Sequence, residues 1–104
     1  MKYYIGLKKN DAATHLRVEM YYNIGGMNYF TGRQERRGYY LSISPVTRNG
    51  IMESFTAYSG VKFLLKEVSR KSAKAEKQAE DLATELAPDY IDIVCRRNGV
   101  ELEA

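Results

Sequence analysis

The stretch SGVKFLLKEVSRKSAKAEKQAEDLATEL, residues 59–86, decides how the chain is read. Val61, Leu65, Val68, Ser72, Ala75, Ala79, Leu82 and Leu86 recur in steps of four and three, and Leu64 and Ala83 widen the same stripe. That spacing predicts a long amphipathic helix, capped by Ser59 and ended at Ala87-Pro88 because the residue before proline disfavours the α region. The stripe is small in its middle, which suits close approach to a sheet.

Beyond it, Pro88 fits the first position of a short second helix, with Ile91, Val94 and Cys95 on one face and Arg96-Arg97 at the carbonyl end. Asn98-Gly99-Val100 supplies a left-handed stop followed by an apolar residue. Residues 90–95 also satisfy a strand pattern; the capping signals favour the helix.

Upstream the period changes to two. Residues 2–8 and 15–23 read as strands joined by the polar stretch 9–14, with Leu16, Val18, Met20 and Tyr22 alternating against Arg17, Glu19 and Tyr21. Gly25-Gly26 breaks the pattern, and Gly32 and Gly38 bound a charged loop. Residues 39–44 form the next strand, and Pro45 places its end at an edge or bulge. Asn49-Gly50 predicts a type I′ hairpin turn, and residues 51–58 return from it. The expected architecture is one α+β domain over residues 1–104. It has a mainly antiparallel sheet of three to five strands, covered by one long helix and a short C-terminal helix.

Composition narrows the function classes. A chain of 104 residues with 44% hydrophobic content supports one modest core. No apolar run reaches the roughly 20 residues that span a bilayer, and Met1 to Gly6 is too short and polar for a signal-peptide core, so a cytoplasmic setting without membrane contact is expected. Cys95 and His15 are the only residues of their kinds, which denies the chain an internal disulfide and the Cys/His zinc patterns; no metal or other cofactor is expected. Cys95 reads as core and His15 as a surface or strand position. Nucleophile-elbow, phosphate-loop and zinc-protease motifs are absent, so the reading is non-enzymatic.

Charge placement says more than the net charge of +3. On a helix turning about 100° per residue, Lys62, Lys66, Arg70, Lys74 and Lys77 fall on one arc, and Phe63 lies within it as an aromatic among cations. Glu76, Glu80, Asp81 and Glu85 crowd the other end, the reverse of what a helix dipole favours. The ridge would meet nucleic acid or an acidic protein surface, helped by the loop arginines Arg33, Arg36 and Arg37, whose forked guanidinium groups suit phosphate.

Three Tyr-Tyr pairs lie on strands, where neighbours point to opposite faces. Tyr4, Tyr21 and Tyr40 would then share an interface on the far side of the sheet, and a protein-interaction or homodimeric module is the alternative to nucleic-acid binding. Arg37-Gly38-Tyr39 matches the opening of an RNA-recognition motif, but the following residues and the element order depart from that fold.

The run from Gly25 to Arg33, the run from Arg37 to Pro45, the segment Glu53-Ser54-Phe55-Thr56-Ala57 and the Lys-rich segment after it together resemble small uncharacterised proteins encoded on mobile elements of gut Firmicutes. The resemblance spans residues 20–102 and leaves residues 1–14 as an extra stretch. It implies a bacterial cytosolic setting and an accessory role around element DNA, and it assigns no site residues.

Overall fold

A computed structural model describes residues 1–103. The order of elements is β1 (Lys2–Gly6), β2 (His15–Asn23), β3 (Gly26–Asn28), β4 (Arg33–Glu35), β5 (Gly38–Asn49), β6 (Met52–Phe55), β7 (Val61–Glu67) and α1 (Ala73–Asn98). The α+β class with an antiparallel sheet against one long helix holds. Two expectations do not: the helix does not begin near Ser59, and among the described residues no separate C-terminal helix follows it.

Five strands make the main sheet in the order β1-β2-β5-β6, with β7 also on β5, while β3 and β4 form a two-stranded arm of their own. The long β5 therefore has two successive neighbours on one side. Its first half pairs with β7 from Gly38↔Glu67 to Ile43↔Val61, and its last residues pair with β6 from Val46↔Phe55 to Asn49↔Met52.

Pro45 marks the break between them. Its carbonyl accepts from Thr56 Oγ1 at 3.2 Å, so its ring nitrogen, which has no proton to donate, faces the gap where neither β6 nor β7 needs a donor. Proline thus sits in a central strand without costing a ladder bond. The turn after β5 is also displaced by one residue from the expected Asn49-Gly50 turn: Asn49 pairs with Met52, and Gly50 alone has positive φ (66°), the pattern of a type II′ turn.

Residues 61–67 become a strand because their apolar residues also alternate. Val61, Phe63 and Leu65 turn to the core, while Lys62 turns away opposite Ser42. The strand can approach because Gly60 has no side chain, since a Cβ there would run into the Ile43 carbonyl oxygen.

The helix starts thirteen residues later than expected. Ser72 caps it by accepting from the Ala75 amide at 3.1 Å, Glu76 lies in its first turn and Arg96 and Arg97 in its last. With Lys62, Lys66, Arg70 and Lys71 outside the helix, most of the apparent inversion disappears: Glu76, Arg96 and Arg97 follow the dipole, and Lys74 alone opposes it in the first turn.

Pro88 does not stop α1. Pro88 and Thr84 are both exposed, so the Thr84 carbonyl that loses its partner lies on the solvent side of the helix, while the buried stripe Ala75, Ala79, Ala83, Ala87, Ile91 and Cys95 continues past it. The stop comes at Gly99 (φ 65°), where the Val100 amide bonds Cys95 O at 3.0 Å and the Gly99 amide bonds Arg96 O at 3.4 Å, as in a Schellman motif.

Alanine at every fourth position lets the helix settle close to Leu16, Val18, Leu41 and Ile43, all fully buried, and among the described residues no polar one is buried with them. Tyr22 and Tyr39 close one end of this layer edge-on, 5.2 Å between ring centres.

Candidate binding face

The side of the sheet away from α1 is where the charged and polar strand residues gather. Register places Tyr21 opposite Tyr40, and their rings stack 6.0 Å apart with Lys62 Nζ over both, 5.3 Å from the Tyr40 centre and 5.9 Å from that of Tyr21. Tyr40 is buried and donates its hydroxyl to Arg36 O at 2.7 Å.

Farther along the same face Arg48 lies over the Tyr4 ring at 4.0 Å, and Arg17 lies over Phe55 at 5.3 Å. Glu53 joins these two by accepting from Tyr4 OH at 2.6 Å and from Arg17 Nη1 at 2.6 Å. The Tyr4 bond and the Arg17 charge hold the Glu53 carboxyl below its ordinary range.

The β3–β4 arm folds over one end of this face. Its latch is Glu35, which accepts from Asn23 at 2.6 Å, from Asn28 at 2.8 Å and from Lys62 at 3.0 and 3.2 Å. These bonds, Asn28 first, lower the Glu35 pKa and use up the carboxylate. Arg37 staples the base of the arm, donating to Ile24 O at 2.8 Å and Ser69 O at 3.2 Å.

Between arm and sheet lies an open concavity of about 460 Å³ lined by residues that include Arg33, Arg36, Tyr40 and Lys62. Arg36 makes only a solvent-exposed contact with Glu67 at 3.3 Å. At the arm tip, Asn28 Oδ1 accepts from the Phe30 and Thr31 amides, and the turn leaves Tyr29 and Phe30 almost wholly in solvent at 93% and 102%. A second concavity, of about 330 Å³ beside Ile91 and Cys95, carries the Asp92–Arg96 pair and Glu101 on its rim, so its lining has no cationic excess to offer a phosphate.

The predicted ridge does not exist as a ridge. Lys62 is on β7 and bonded to Glu35, Lys66 is half-buried on β7, and Arg70 lies in the linker before α1. Lys74 and Lys77 alone are helical, and Lys77 bonds Asp81 at 2.7 Å. Phe63 faces the helix, its ring 4.3 Å from that of Tyr90, and is not a stacking platform. Lys62 does meet Arg33 and Arg36 around the concavity, though by a strand and not by a helix, while Arg37 turns to Ile24 and Ser69. Tyr4, Tyr21 and Tyr40 share the far side of the sheet, all engaged in internal contacts.

No family model matches the chain, and neither a curated protein nor a solved structure does. Geometry and charge therefore carry the functional reading by themselves.

Charge is divided unequally between the helix and the rest of the chain. The helix carries four Lys or Arg against six Asp or Glu, whereas the rest of the chain carries twelve against seven. Tyr29 and Phe30 escape a sequence reading because they occupy a segment too short for any periodic pattern; their one local signal is an aromatic pair held between Asn28 and Gly32.

Proposed function

We propose that the chain is a non-enzymatic binding module of the bacterial cytoplasm, an accessory of a mobile element, that holds nucleic acid against the arm and the far side of its sheet. The observation that carries this reading is the concavity beneath the arm, where Arg33, Arg36 and Lys62 outnumber the one carboxylate, Glu35, on the side of the sheet away from the helix. Guanidinium forks at an open rim suit phosphate, while the acidic helix on the opposite side repels it and so orients the partner. The helix ridge plays no part in this version.

Anisotropy of labelled duplex and single-stranded oligonucleotides, measured across salt, tests it. Binding should weaken as salt rises, with a slope of about 0.7 to 0.9 per phosphate neutralised on logarithmic axes. Arg33→Glu with Arg36→Glu should remove most of the affinity, and Lys74→Glu on the helix should leave it intact. Absence of a salt-dependent isotherm at low ionic strength overturns the proposal.

A second reading, self-association, is favoured by the β5–β6 hairpin, where Ile51, Met52 and Phe55 are exposed at 102%, 75% and 75%. Sedimentation at several concentrations tests it, and a persistent monomer removes it.

A further inference from the structure

We infer that the arm selects single-stranded nucleic acid, with Tyr29 and Phe30 as platforms on which unpaired bases stack. The inference rests on the nucleic-acid reading above and adds to it the form of the ligand and the residues that recognise it.

Large apolar side chains left in solvent at the end of a narrow projection call for an occupant, and Phe30 buries nothing against its own chain. The arm is two strands of three residues each, and its two rings stand at the tip, the most exposed members of an apolar set that continues with Met27 at 53% and Ile24 at 71% towards the base. The charge around the tip is complementary to a polyanion. Arg33 pairs with Asn28 at the tip end of the arm, Arg36 stands at its root, and the carboxylate of the arm, Glu35, is already taken by Asn23, Asn28 and Lys62. Aromatic faces beside arginines recognise a chain that presents π-faces and phosphates together, and they do so without regard to base identity.

Duplex DNA presents its bases only as edges in grooves, and reading it calls for a cationic helix or ribbon laid into a groove. The only helix among the described residues has an acidic excess, six Asp or Glu against four Lys or Arg, and so is unsuited to a groove walled by phosphates. A single strand can instead run its phosphates past Arg33 and Arg36 while turning bases out to the tip.

The full chain, a labelled oligo-thymidine and an abasic oligomer of the same length separate stacking from charge. Oligo-thymidine should bind at least about fivefold more tightly than the abasic strand, and Phe30→Ala or Tyr29→Ala should erase that preference. The sequence has no tryptophan, so Phe30→Trp should keep the preference and report it by quenching on oligo-thymidine and not on the abasic strand.

Equal affinity for the two probes, unchanged by Phe30→Ala, overturns the inference and leaves the nucleic-acid reading standing. Tighter binding of duplex than of single strand also overturns it. Failure of every probe at low salt overturns both readings. Self-association that Phe30→Ala abolishes assigns the tip to a protein contact and overturns it as well.

Discussion

On the helix side of the sheet Tyr22 and Tyr39 meet edge-on above a dry layer of Leu, Ile, Val and Ala; on the other side, one residue away along each strand, Tyr21 and Tyr40 stack under a lysine. The residue types are the same and the environments are not. Tyr39 lends its ring to the core and its hydroxyl to Ser72 at 3.4 Å, tying β5 to the start of the helix. Tyr40 lends its hydroxyl to the arm. The period of two assigns each ring its side, and the side assigns its work: hydrophobic cohesion towards α1, a polar and cationic network towards the arm.

The sharpest way to break this comparison is to delete side chains at adjacent positions of β5. Leu41→Ala on the helix side should cost about 2–5 kcal/mol of unfolding free energy, because the close-packed layer cannot collapse around the cavity. Ser42→Ala on the far side should cost about 0.5 kcal/mol or less. Denaturant unfolding of the two variants measures both; similar costs would erase the distinction between the sides.

Gly60 gives a smaller effect with a telling sign. If residues 61–67 pair with β5, Gly60→Ala drives a methyl group into the Ile43 carbonyl and should destabilise by about 1–3 kcal/mol. A helix through the same residues would gain up to about 1 kcal/mol from the same substitution.

The smallest effect is confined to acid. Glu35 and Glu53 on the far side both titrate below the ordinary glutamate value because hydrogen bonds from Asn28 and Tyr4, and then neighbouring cations, favour the charged form. A folded pKa lowered in this way adds stability above the unfolded value and loses it as the pH falls through the folded one. Unfolding followed from neutral pH downwards should therefore show an acid limb that Glu35→Gln and Glu53→Gln flatten, with stability at neutral pH falling by about 1 kcal/mol for each broken network.

Much of the sheet was legible because alternation is a local signal. The split of the tyrosine pairs, the strands at residues 15–23 and 39–44, the buried Cys95 and the stop at Gly99 all follow from neighbouring residues. Residues 61–67 were not legible for a physical reason. Val61, Leu64, Leu65 and Val68 satisfy a helical spacing, Val61, Phe63 and Leu65 satisfy a strand, and seven residues are too few to separate the two.

What decides between them is the unpaired flank of β5, more than ten residues away in sequence. One local clue did mark the boundary. Cations crowded before Ser72 and acids after it contradict a single helix dipole, and the contradiction locates the true cap. Pro88 misled for the complementary reason, since its cost depends on whether Thr84 is wet, which only the packed helix determines. Within the candidate site the arginines were visible as a cluster and Lys62 as a cation, but their meeting around one concavity depends on the arm folding over β7 through Glu35.

Backbone amide shifts of the labelled protein, titrated with oligo-thymidine at low salt, test most directly which side of the molecule is the working one. Perturbations gathered on the arm from residue 26 to 38 and on the far-side positions of β2, β5 and β7, with α1 from Ala73 to Asn98 silent, are the predicted result. Shifts concentrated along the exposed side of α1, or none anywhere while the protein remains folded, would contradict it.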